Sequence, residues 1–102
     1  MTDYALVMTT KFPDAEYAVA EDGTFVAWNE PGEPPTVEEM DGWWPEVQAL
    51  AANAQATKDR LHAYEAESDP LYMEWQAGEG TKEAWLAKRQ EIKDRYPFVP
   101  VP

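Results

Sequence analysis

The sequence predicts an α+β fold, with a small N-terminal antiparallel sheet built on a hairpin, then a long kinked helix and a C-terminal helical hairpin. Three observations carry that expectation. Asp22-Gly23 lies between two short runs rich in β-branched and aromatic residues, Tyr17-Ala-Val-Ala-Glu21 and Thr24-Phe-Val-Ala-Trp28, which is the pattern of two strands joined by a tight turn. Thr36 with Glu39 three residues on is a capping box that opens a helix. From Met40 to Tyr64 the residues Met40, Trp43, Val47, Leu50, Ala54, Thr57, Leu61 and Tyr64 recur at alternating spacings of three and four, a seam on one helix face.

Element by element, Tyr4-Ala-Leu-Val-Met8 is an apolar run suited to a buried strand, broken by Lys11-Phe-Pro-Asp14. A two-residue type I′ turn at Asp22-Gly23 would pair Glu21 with Thr24, Val19 with Val26 and Tyr17 with Trp28. In that register both faces of the sheet are apolar, so at least one must be covered. Residues 1–30 thus hold the strand and hairpin, and residues 31–35 are a stiff Pro-rich linker. Residues 36–67 form the long helix. Gly42 and Pro45 are expected to divide it into a short helix to Gly42, a kink near Trp43-Trp44, and a long segment from Pro45 to Glu67. Residues 68–102 form the helical hairpin and tail. Ser68-Asp69-Pro70 starts its first helix, Gly78-Glu79-Gly80 ends it, and Thr81 caps a second helix through Arg95. The Pro-Phe-Val-Pro-Val-Pro tail, residues 97–102, is expected to be extended and to wrap over the chain's own surface. A chain of 102 residues has room for a single domain overall.

The charge is strongly acidic and unevenly spread. Twenty acids against eight bases give a formal net charge of −12, which argues against binding nucleic acid or an anionic membrane surface. Residues 1–46 carry eleven acids and one base, Lys11, whereas residues 47–102 carry nine and seven. The acidic front half reads either as a solvated surface that maintains solubility or as a face aimed at a basic partner. There is no cysteine, which excludes disulfides and thiolate chemistry. The opening Met-Thr-Asp-Tyr lacks a basic signal-peptide start, and no apolar run approaches the ~20 residues of a membrane span.

No residue pattern points to catalysis. The lone histidine, His62, falls on the solvent side of the seam. No Ser lies in a nucleophile elbow, and no Gly-rich loop opens a helix as phosphate cradles do. The acid groups Glu38-Glu39-Asp41 and Glu65-Glu67-Asp69 lack the spacing of a calcium loop. The expectation is therefore a protein with no catalytic, cofactor-binding or metal-ligating residue.

Contact is what the aromatics point to. Thirteen aromatic residues, five of them Trp, exceed what one small core readily hides, and Trp and Tyr anchor protein interfaces. Candidate partner-binding residues are Trp43, Trp44, Tyr72, Trp75, Trp85 and Phe98. Trp43 and Trp44 point about 100° apart on a helix, so one is expected in the core and the other facing a partner. The seam offers a second interface, with Met40, Val47, Leu50, Leu61 and Tyr64 as candidate oligomer contacts. It either packs against the rest of the chain or joins copies into a homo-oligomer, most simply a trimer.

Three stretches carry a resemblance. They are Phe25-Val-Ala-Trp-Asn29 with the Pro34-Pro-Thr-Val-Glu-Glu39 helix start, Trp44-Pro-Glu-Val-Gln48 running into an Ala-rich helix, and Ser68-Asp-Pro-Leu-Tyr-Met-Glu-Trp-Gln-Ala-Gly-Glu79 followed by Glu83-Ala-Trp-Leu86 and Glu91-Ile-Lys-Asp-Arg-Tyr-Pro97. Together they are similar to small accessory proteins of bacteriophage and prophage tail modules, of the XkdW-like kind. The resemblance implies a virion or tail-assembly role in contact with a tail-fibre or baseplate protein, location in the virion tail after synthesis in the host cytoplasm, and no enzymatic residues. A permanent virion component and a transient fibre chaperone remain open at this point. The alternative is an acidic phage inhibitor that imitates nucleic acid and blocks a host defence nuclease.

Overall fold

The computed structural model describes all residues, Met1–Pro102. The order of elements is helix α1 (Tyr4–Lys11), strands β1 (Tyr17–Val19) and β2 (Phe25–Trp28), helix α2 (Val37–Ala63), a π turn (Tyr64–Ser68), helix α3 (Asp69–Gln76) and helix α4 (Lys82–Arg95). The fold is α+β, with one two-stranded antiparallel sheet. The chain divides into two compact units, Met1–Leu50 with Val101–Pro102, and Ala51–Pro100. Helix α2 contributes its first half to one and its second half to the other.

In the N-terminal unit the apolar run at residues 4–8 is a helix, not the expected strand. A short apolar run reads equally well as a buried strand or a buried helix. The choice was made by its neighbours. Asp3 caps the first turn by accepting from the Leu6 N–H at 3.0 Å, and Thr9 and Thr10 donate their hydroxyls to the carbonyls of Ala5 and Leu6.

The hairpin forms where expected, and Tyr17 faces Trp28, but its turn and register differ. Gly23 sits at φ 87° while Asp22 stays out of the left-handed region, so the type I′ turn does not form. Instead Gly23 N–H donates to Ala20 O and Ala20 N–H donates to Thr24 O, closing a three-residue loop with glycine at its left-handed position. A bulge follows. Ala18 pairs with Ala27 and Val19 with Phe25, leaving Val26 as the extra residue, 76% exposed. The bulge carries Phe25 to the same face as Tyr17, Val19 and Trp28, and that face alone packs on the core. Ring contacts knit it, with Phe25 edge-on to Trp28 at 5.3 Å and to Tyr17 at 6.2 Å.

At the centre of this unit Val7 and Met8 of α1 meet Met40 and Val47 of α2, all fully buried. Met40 and Val47 therefore belong to the chain's own core and are not available as oligomer contacts. Trp43 and Trp44 are both half-buried against the same core, so the expected division into one core and one outward-facing ring is not observed. Tyr4 ties α1 to α2 by donating its hydroxyl to Asp41 Oδ1 at 2.8 Å, and this bond to a carboxylate raises the phenol above its ordinary pKa.

The capping box is present. Thr36 Oγ1 accepts from the Glu39 N–H at 3.1 Å, and Glu39 Oε1 accepts from the Thr36 N–H at 3.2 Å. Thr36→Ala is expected to cost about 1 kcal/mol, read as a lowered urea midpoint with an unchanged slope. Beyond it α2 runs unbroken through Gly42 and Pro45, against the expected division at Trp43-Trp44. Pro45 has no N–H for the Asp41 carbonyl, but both residues are exposed and water can serve that acceptor. Met40, Trp43, Trp44 and Val47 lie on both sides of the proline and anchor both segments to one core.

In the C-terminal unit the expected fresh start at Ser68 is instead a widened turn in one continuous helical path. Ser68 has helical dihedrals, its side chain caps no N–H, and its hydroxyl donates back to Tyr64 O at 3.1 Å. Asp69 N–H also reaches Tyr64 O, an i→i−5 bond. Pro70, without an N–H of its own, is accommodated just after this turn. Helix α3 then ends as expected at Gly78 (φ 80°), where Gly78 N–H donates to Trp75 O and Glu79 N–H to Glu74 O, a Schellman closure. Thr81 caps α4 by accepting from the Ala84 N–H.

Candidate functional site: aromatic surfaces

The Gly78 closure and the Thr81 cap turn α3 back onto α4, which brings Tyr72 and Trp75 of α3 against Trp85 of α4. Tyr72 and Trp75 are three residues apart on one helix face, so both reach the same neighbour. Trp75 and Trp85 stack with centroids 5.7 Å apart and planes 22° from parallel. Tyr72 meets Trp75 at 5.7 Å and Trp85 at 5.2 Å. The Arg89 guanidinium lies 4.2 Å from the Tyr64 ring centre and 5.5 Å from that of Trp85, a cation–π bracket on the cluster's edge. Tyr72 is 39% exposed and the two Trp rings are half-buried, so the cluster is braced from behind and open in front.

Charge pairs join the π turn to the end of α4. Arg95 grips Glu67 with two bonds, Nη1 to Oε2 at 2.7 Å and Nη2 to Oε1 at 2.9 Å, and also reaches Glu91. The hydrogen bonds from Arg95 hold the Glu67 carboxyl below its ordinary range, and those from Lys88 do the same for Glu91. A carboxyl depressed in the folded state adds stability above its unfolded pKa of about 4.3, and that contribution fades as pH falls. Glu67→Gln is expected to lose stability at neutral pH and to show a smaller further decline than the parent below about pH 4, measured by urea denaturation across pH.

The tail is clipped to α2. Asn53 donates Nδ2 to Val99 O and accepts from Val99 N–H, matching a backbone donor and acceptor with one side chain. Arg60 donates to Tyr96 O and Lys93 O, satisfying carbonyls at the end of α4, and its guanidinium stacks on Phe98 at 3.9 Å.

Of the six candidate partner-binding residues, Tyr72, Trp75 and Trp85 thus form one cluster, Phe98 lies against Arg60, and Trp43 and Trp44 belong to the N-terminal unit. Arg89 and Tyr64 complete the cluster: Tyr64, expected on the α2 seam, lies in the π turn with its ring under the Arg89 guanidinium of α4, a contact that exists only once α4 folds back. Of the remaining seam candidates, Leu50 and Leu61 are 41% and 53% exposed on α2.

The N-terminal unit also carries a concave surface. A cavity of about 670 Å³ in the N-terminal unit is walled by Phe12, Trp28 and Trp43 and floored by the Pro-rich segment before α2. Phe12 and Trp43 meet at 5.9 Å, and Trp28 is pinned by donating its indole N–H to Gly32 O at 3.0 Å.

No group of three or more His, Asp or Glu side chains is arranged to hold a metal ion, and no helix is long and apolar enough to cross a membrane. No family model, curated protein or solved structure matches the chain.

Proposed function

We propose that the chain is a structural or assembly protein that acts by binding another protein through its aromatic surface, and that the partner is a bacteriophage tail-fibre or baseplate protein. The cluster of Tyr72, Trp75 and Trp85 carries this reading. Three large rings held rigidly at a surface, with exposed Met73 and Leu86 on the same two helices, supply contact area at low entropic cost. The identity of the partner rests on the sequence resemblance alone. Mass spectrometry of purified particles from the phage or induced prophage that encodes the chain tests this. Stoichiometric presence makes it a virion component of the tail. Absence, with tails failing to assemble when its gene is deleted, makes it an assembly chaperone. Intact, infectious particles that neither contain nor require it would end the proposal.

Self-association belongs to the same proposal. Leu61, 53% exposed on α2 in the C-terminal unit, with exposed Thr57 and Ala54 one and two turns before it, offers a helix face that a parallel trimer would cover. Because Leu61 is exposed, Leu61→Asp leaves the folded chain intact and is expected to shift sedimentation from trimer to monomer. A parent protein that already sediments as a monomer at micromolar concentration removes the trimer.

A further inference from the structure

The cavity beside Trp28 and Trp43 has a chemical character that the aromatic cluster lacks. Its walls are aromatic and its rim is acidic. Asp14, Glu30, Glu33 and Glu39 line it, and no Lys, Arg or His does. Its volume falls within the ~300–1,000 Å³ of ligand pockets. The site is built rather than incidental. Trp28 is held between Phe25 and the Gly32 carbonyl, Glu30 accepts from the Glu16 N–H at 2.7 Å, and Glu39 is fixed by the capping box. Asp14 and Glu33 have no ion-pair partner. Lys11, paired with Glu46, stands 6.0 Å from the Trp43 ring centre.

We propose that this cavity binds an arginine side chain presented by a basic segment of a partner protein. Three features fix that choice. Aromatic rings and carboxylates that line one cavity suit a cation, and a lining with no basic side chain disfavours phosphates and acidic peptides. A planar guanidinium stacks on Trp while its N–H fork engages carboxylates, which a compact ammonium does less well. The prolines of the floor, Pro31, Pro34 and Pro35, hold the groove open without a backbone rearrangement on binding. The inference goes beyond the tail-protein proposal and stands without it, since it concerns a different surface and names the chemistry of the ligand.

The test is a titration of the ¹⁵N-labelled full chain at low salt with an acetylated Gly-Arg-Gly-Arg-Gly amide peptide, alongside the same peptide with citrulline, the uncharged isostere of arginine. The arginine peptide is expected to move the indole N–H signals of Trp28 and Trp43 saturably, and the citrulline peptide to bind roughly tenfold more weakly or worse. Asp14 and Glu33 are exposed, so the double variant Asp14→Asn with Glu33→Gln keeps its dispersed spectrum. It is expected to bind the arginine peptide roughly tenfold more weakly. Indole signals that stay fixed at millimolar peptide, equal binding of the citrulline peptide, an unaffected double variant, or shifts scattered evenly over the acidic surface would each overturn the proposal.

Discussion

Met40→Ala is expected to unfold the N-terminal unit or leave it barely folded at room temperature. Met40 is fully buried where α2 meets Val7 and Met8 of α1. Truncation there removes the thioether chain and leaves a cavity bounded by Val47 and the half-buried rings, at a cost of about 2–5 kcal/mol. Small proteins are stable by only ~5–15 kcal/mol, and a 52-residue unit with four fully buried core residues is at or below the low end. The measurement is near-ultraviolet circular dichroism, which reports the fixed environments of Trp28, Trp43 and Trp44, together with urea denaturation. Met40→Leu conserves volume and is expected to cost less than about 1.5 kcal/mol. A near-parental midpoint for Met40→Ala would mean that the four-residue core does not hold this unit together.

Gly23→Ala is expected to be nearly as damaging, for a different reason. Gly23 is buried at φ 87°, and a Cβ there would lie 2.8 Å from Val37 Cγ2 and 3.2 Å from the Tyr4 ring. The left-handed backbone costs of order 1 kcal/mol for any L side chain. Moving Val37 at the start of α2, or Tyr4 away from its bond to Asp41, adds about 1–3 kcal/mol. Gly32 is the internal control. It has a similar φ of 82°, and a Cβ there meets nothing within 4 Å. Gly32→Ala should therefore show only the backbone cost, about 1 kcal/mol, and the difference between the two variants measures the collision. Equal midpoints for the two would show that the turn does not pack as described.

What could be read from the sequence were the features set by a few adjacent residues. Asp22-Gly23 places the hairpin, Thr36 with Glu39 the start of α2, Gly78 the end of α3 and Thr81 the start of α4. Each is a local backbone event with its own donor, acceptor or dihedral requirement. What could not be read depended on partners distant in the chain. Residues 4–8 are helical because Asp3 caps them and because Val7 and Met8 have Met40 and Val47 to pack against. The bulge at Val26 answers the need to place Phe25 on the covered face. Pro45 is tolerated because the flanking Trp and Val residues share one core, and no local rule for proline includes that. The candidate sites follow the same division. Tyr72 and Trp75 share a face by helical spacing, so half the aromatic cluster was readable, whereas the Arg89 bracket needed α4 folded back. The acidic cavity brings together Phe12 from the end of α1, Trp28 from β2 and Trp43 from α2, which the sequence reads as a chain break, a strand residue and a partner-binding candidate, because only the folded unit places them side by side.

Affinity purification of the tagged full chain from the cells that produce it, with prophage induced where one is present and the retained proteins identified by mass spectrometry, tests whether this aromatic surface binds a tail protein as proposed. A tail-fibre or baseplate protein is expected to be retained by the parent chain, and Tyr72→Ala, at the exposed edge of the cluster, is expected to reduce its recovery about tenfold or more while leaving the circular dichroism spectrum unchanged. Recovery that is unaffected by Tyr72→Ala, or retention of a basic host nuclease in place of any tail component, would contradict it, and the second result would turn the acidic N-terminal half into the working surface.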